Sequence, residues 1–269
     1  MTSILVSSDD LSLAETIATQ VAQRRDMPVI DRTYVDEIAK QYDVRAKDLL
    51  RLLDFCGRLS TARKRLLACL EAGVLEKLQD DNIVCTGLGA HLYVTGISHV
   101  LNIRVLSDMA SVTHKLAAEK NMAPKKVRSL LEKRMRRRQG SIKAAFGIDE
   151  TNPATYDMLL TMGKFDIDQA VKTIAETANE RRFKAMTYSK KCAVDLALVG
   201  RIRLALSQYS NTDIRVSDRT AILTIHKGFG WKRRAEILRT RTMEVDGVSD
   251  VRIRLSSDAT EDAANGVVA

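Results

Sequence analysis

Aromatic residues make up only 4% of this chain of 269 residues, so stacking platforms for bases or sugars are scarce. No run of about 18 apolar residues is present, which argues against a spanning helix, and the N-terminus lacks the charged-then-apolar pattern of a secretory signal. A cytoplasmic location is the expectation. The four cysteines (Cys56, Cys69, Cys85, Cys192) form no C-x-x-C pair, and His91, His99, His114 and His226 are equally dispersed. Neither set has metal-ligand spacing, so no metal site is expected, and the thiols read as reduced and mostly buried. No helix-turn-helix or zinc-finger signature is present.

A further shortage falls at one place. Ile4 to Ser8 is a short apolar strand running into a polar turn, and the turn opens a helix over about 12–24. Backbone N–H groups cradle phosphate in this layout, and the cradle needs glycine because only glycine lets the backbone curl around the anion. Here Leu11, Leu13 and Ala14 stand in the turn, no Gly-Lys-Ser/Thr follows, and Asp9 and Asp10 add negative charge.

With 45% hydrophobic and 29% charged residues, the chain can bury a proper core. The net charge of +9 is uneven. Residues 1–180 hold 26 Lys/Arg against 24 Asp/Glu, residues 181–255 hold 17 against 7, and the tail after Leu255 is acidic. That asymmetry predicts a boundary near residue 180 and an anionic partner for the second half. Domains are expected at 1–180 and 190–256, with a connector at 181–189 and a disordered tail at 257–269.

Strands are expected at 4–8, 27–30, 82–86 and 99–106, alternating with helical stretches at 34–40, 46–79, 111–145 and 167–180. This alternation predicts an α/β fold, a parallel sheet covered by helices, with ligands at the rim where the strands end. The second half reads α-β-β-α-β: helix 193–209, strands 213–216 and 221–226, helix 231–245 and strand 250–255. It is a small α+β unit.

Several segments carry a resemblance. Val29-Ile-Asp-Arg-Thr-Tyr-Val-Asp-Glu-Ile-Ala39, Ile83-Val-Cys-Thr-Gly-Leu-Gly-Ala90, Phe146-Gly-Ile-Asp149 with Asn152-Pro-Ala-Thr-Tyr-Asp157, and Ile167-Asp-Gln-Ala170 occur in that order. With these, residues 4–180 resemble the cytidylate-kinase-like family of P-loop nucleoside monophosphate kinases. The resemblance implies a P-loop kinase fold and, in an active member, ATP and Mg²⁺. The departures fall on phosphoryl-transfer positions. Of the family's glycine loop only Ser12 remains, Leu88 and Val112 replace arginines, and Met135 replaces an acid ahead of the lid arginines. Retained are Asp31, Arg32, Arg136 and Arg138, which with Ser12 form the expected residual nucleotide site. No catalytic residue is assigned, and the resemblance implies a non-catalytic binding or regulatory protein. The alternatives are a divergent kinase using Arg32, Arg136 and Arg138, and a nucleic-acid binder acting through basic residues 125–143 and 201–241.

Ala193-Val-Asp-Leu196, Ile214-Arg-Val216, Ala221-Ile-Leu-Thr-Ile225 and Val245-Asp-Gly-Val-Ser-Asp-Val251 make residues 190–256 resemble the BON family, modules often attributed to phospholipid or membrane-surface binding. Lys227, Trp231, Lys232, Arg233 and Arg234 mark the expected contact corner. A phospholipid surface, a nucleic acid or another anionic ligand suits those cations, and a protein partner is a further possibility. Alternatively, Trp231 simply starts a helix and packs on the sheet.

Overall fold

The structure, a computed structural model, describes residues 2–55, 57, 59–209 and 212–256. The acidic tail expected at 257–269 lies outside the described residues.

The central strand β1 (Ser3–Ser8) is buried along its whole length, as a strand covered on both faces must be. It is flanked by β3 (Val84–Thr86) and β4 (Val100–Leu106), with the two-residue β2 (Val29–Ile30) beyond β3 and β5 (Met158–Thr161) beyond β4. The order is β2-β3-β1-β4-β5 and every pair is parallel, with Ile4 opposite Val84 on one side and Leu101 on the other. The sequence reading missed β5. It is four residues long and lies at the sheet edge with only Leu160 buried, so its apolar Met158, Leu159 and Leu160 form no alternating pattern.

Helix α1 (Leu11–Arg25) lays Ala14, Ile17, Ala18, Val21 and Ala22 on one face of this sheet, the spacing of a single helical stripe. Helix α7 (Ile167–Thr177) joins it there, started by a capping box between Asp166 and Gln169. On the other face pack α2 (Val35–Gln41), α3 (Ala46–Leu53) and α4 (Thr61–Leu78). The helical stretch read as 46–79 is therefore two helices. The stretch read as 111–145 also divides, into α5 (Met109–Lys120) and α6 (Pro124–Phe146). Asn121 takes a left-handed conformation with φ of 49°, ending α5, and Pro124 supplies a first-turn residue that needs no N–H partner.

Residues 181–189 are not bare chain. Phe183 is buried in the first core, and Thr2 Oγ1 donates to the carbonyls of Ala178 (3.0 Å) and Phe183 (2.6 Å). Helix α8 (Thr187–Ala205) begins inside this stretch, six residues earlier than the periodicity suggests. It serves two cores. Ala193 and Ala197 pack with α4, while Leu198 and Ile202 pack under the second sheet. At the crossing, a Cβ on Gly200 would lie 3.1 Å from Ala72 Cα and from Leu75 Cδ1, so glycine permits the close approach. Beside it the buried Glu71 pairs with Arg203.

The second sheet has the order β6-β7-β8. Strands β6 (Thr212–Ser217) and β7 (Thr220–His226) form an antiparallel hairpin whose turn residues, Asp218 and Arg219, both have positive φ (52° and 61°). Helix α9 (Trp231–Met243) then returns the chain to β8 (Asp250–Ser256), parallel to β7. The α-β-β-α-β order is as expected from the sequence. Among the described residues no helix is long and apolar enough to cross a membrane.

Candidate functional site

The carboxyl ends of β1, β3 and β4 open into a cleft of about 540 Å³, roofed by α5 and α6. This is the rim at which a parallel sheet presents its connecting loops to a ligand. The turn after β1 forms its floor. Asp10 caps α1 with its own side chain: Oδ1 accepts from the backbone N–H groups of Ser12 (3.0 Å) and Leu13 (3.4 Å). Those are the donors that a phosphate would use at this helix end. Asp9 turns the other way, accepting from the backbone N–H of Ser107 (3.1 Å) and from its hydroxyl at the end of β4. Leu11 leans across the floor, so that a Cβ on Gly87 would come within 3.2 Å of Leu11 Cδ1 and of Arg32 Cγ.

Of the residues expected to form a residual nucleotide site, Ser12, Arg32 and Arg138 line this cleft. Arg32 Nη2 pairs with Asp54 Oδ1 at 2.8 Å. Asp31 is instead the cap of a short 3-10 turn, accepting from the Thr33 N–H (2.8 Å) and hydroxyl (2.7 Å). Arg136 is exposed on α6 and is not part of the cleft wall, whereas Arg134 is. Leu88, in place of an arginine, is fully buried in the core, and Val112 and Met135 add apolar surface to the walls.

A cluster at the inner end of the cleft was not foreseen. Glu150, only 5% exposed, accepts from His91 Nε2 (2.7 Å) and from Arg138 Nη2 (2.9 Å) and Nε (3.1 Å). Burial alone would raise the Glu150 carboxyl, but the hydrogen bonds from His91 and Arg138 hold it well below the usual carboxylate range. Burial pushes the His91 imidazole down, so it donates as a neutral ring. Arg104 stands beside them on β4, 7% exposed, with Nη1 3.8 Å from Glu150 Oε1. One sequence signal pointed here: an arginine inside the strand segment Val100–Leu106, which is apolar except for it and Asn102. His91 and Glu150 carried none, being far apart in sequence.

In the second unit Trp231 is half-buried against the small core, with Lys232 Nζ 5.9 Å from its ring centroid. Lys227, Lys232 and Arg233 are exposed, and Arg234 Nη2 donates to Thr212 Oγ1 at 3.4 Å. The aromatic side chain that this corner offers to solvent is Phe229, fully exposed between Gly228 and Gly230. Among the described residues no three His, Cys, Asp or Glu side chains gather to hold a metal ion. Cys69 and Cys85 are buried thiols and Cys192 is half-buried.

Three solved structures share similarity with the chain. A protein of Eubacterium ventriosum is 15% identical, covering 67% of this chain and 100% of its own, with a TM-score of 0.48. Shikimate kinase from Bacteroides thetaiotaomicron is 11% identical over 66% of this chain and 99% of its own, with a TM-score of 0.42. The YorR protein of Bacillus subtilis, solved with phosphorylated GDP, is 12% identical over 69% of this chain and 100% of its own, with a TM-score of 0.35. No curated protein sequence matches. The profile of the cytidylate kinase-like family matches residues 7–164, from the end of β1 through the turn after β5. That span takes in the parallel sheet's rim and both walls of the cleft, and the chain belongs to the cytidylate kinase-like family.

Proposed function

We propose that this chain is a cytidylate kinase-like protein that no longer transfers a phosphoryl group and acts instead by binding, in a regulatory role. The carrying observation is the Asp10 carboxylate seated on the α1 N-terminus. Phosphoryl transfer relies on positioned positive charge around the transferring group, with Mg²⁺ bridging its oxygens. Here the helix donors already serve an internal anion, Arg32 is paired with Asp54, and Arg138 is paired with Glu150. An ATP triphosphate does not fit a turn that carries Leu11, Leu13 and Ala14 in place of glycines and the carboxylates of Asp9 and Asp10 beside them, so no step is assigned to ATP or Mg²⁺. Loss of one electrostatic contact of this kind commonly costs ~100- to 1000-fold in rate. The test is ATP-dependent phosphorylation of CMP, dCMP and UMP. No turnover above buffer is expected, and robust turnover overturns the reading in favour of a divergent kinase.

A second observation favours a binding role for residues 190–256. Phe229 projects into solvent from a glycine-flanked tip among Lys227, Lys232 and Arg233. An apolar tip ringed by cations suits an anionic lipid surface, where each cation contributes ~1 kcal/mol. Co-sedimentation with phosphatidylglycerol vesicles, absent with phosphatidylcholine and weakened by Phe229→Ser, is the expected result. Salt-dependent binding to oligonucleotide with none to either vesicle moves the assignment to nucleic acid. A cytoplasmic location belongs to the same proposal.

A further inference from the structure

Arg104 is a buried cation with spare donors. Its Nε and Nη1 have no hydrogen-bond partner, and the nearest carboxylate oxygen, Glu150 Oε1, already accepts from His91 and Arg138. At 3.8 Å that oxygen is beyond hydrogen-bond reach of Nη1. Leaving donors of a buried charged group unsatisfied is costly, and Arg104 lines a cleft large enough to admit a counter-ion for its guanidinium.

The rest of the cleft says what kind of ligand that is. Its volume of about 540 Å³ is that of a small-molecule site. Where a kinase would present glycines, arginines and an acid, Leu11, Val112 and Met135 present hydrocarbon, joined by Leu67, Met109 and Leu116. The ionisable lining is balanced, with Asp9, Asp10, Asp54, Glu119 and Glu150 offsetting an equal number of Lys and Arg side chains. A polyphosphate finds no excess positive charge there. A single negative charge finds Arg104.

We infer that the cleft binds an amphipathic carboxylate, its head on Arg104 and its acyl or aryl body along the wall formed by Leu11, Leu67, Met109, Val112, Leu116 and Met135. The inference does not rest on the absence of phosphoryl transfer, which is measured separately with nucleotides.

Calorimetric titration of the full chain with decanoate, decyltrimethylammonium and CMP tests it. Saturable one-to-one binding of decanoate is expected, with none of the cationic analogue. Arg104→Met should weaken decanoate about tenfold or more, the loss expected for one charge-assisted hydrogen-bonded contact. Val112→Trp, which fills the wall, should weaken it comparably, and this second variant decides the matter if Arg104→Met fails to fold. Absence of saturable decanoate binding overturns the inference. So does equal affinity for the cationic analogue, CMP binding in decanoate's place, or unchanged affinity in the folded variants.

Discussion

The Asp10 carboxylate lies 3.0 Å from the backbone nitrogen of Ser12, on the axis along which a phosphate would approach helix α1. A residue that reads in sequence as a source of repulsion is, in the fold, the helix cap. It satisfies N–H groups that no other intrahelical acceptor reaches.

Asp10→Ala should therefore lower stability by about 1 kcal/mol, the usual loss for an N-cap replaced by alanine. Phosphorylation of CMP should not appear in this variant, because the glycines are still missing. Urea denaturation and the nucleotide kinase assay check the two halves of this prediction.

Glu150 holds three basic groups together at the inner end of the cleft. Glu150→Gln removes the buried charge that faces Arg104 and Arg138, and should destabilise the fold by about 3 kcal/mol, the scale for breaking a buried ion pair on one side. Chemical denaturation measures it. A loss under half that size would mean the cluster is solvated rather than buried.

Stability should fall on the acid side of neutrality. Burial lowers the His91 pKa from its ordinary 6.5, so below that pH the unfolded chain binds more protons than the folded one. The contribution is complete above about pH 6.5 and is lost as pH drops toward the lowered folded-state value. His99 shifts in the same direction for the same reason, so His91→Gln should flatten the slope only in part. Denaturation midpoints of the two proteins between about pH 8 and pH 5 provide the comparison, and parallel curves would sink the assignment.

The crossing of α4 and α8 depends on Gly200. Gly200→Val places methyl groups against the Ala72 backbone, which has no rotamer to yield, and should cost about 1–3 kcal/mol through overpacking. If the two units unfold together through this contact, a single transition moves; a thermal melt followed by circular dichroism reports it.

Much of the fold was legible because it rests on local rules. The apolar runs of β1 and β4, the i, i+3, i+4 stripe of α1, the Asp166 capping box and the α-β-β-α-β order of the second half are all short-range patterns. The errors have local causes as well. Asn121 and Asp54 end helices within stretches whose composition still reads helical, and β5 is an edge strand too short and too exposed to show a period.

The site divides differently. The missing glycines and the odd arginine in β4 are visible in the sequence alone, since each is out of keeping with its segment, while Arg32 and Arg138 are picked out there only by the family resemblance. What those residues do was decided by tertiary structure. Asp54 finds Arg32 across 22 positions, and Glu150 finds His91 across 59, because parallel strands bring the ends of distant segments to one rim. Sequence fixes which charges exist and which cradle is lost. Only the packing, which sets distance and desolvation, determines that Arg32 and Arg138 are matched internally while Arg104, in the cleft wall, keeps two buried donors without a hydrogen-bond partner.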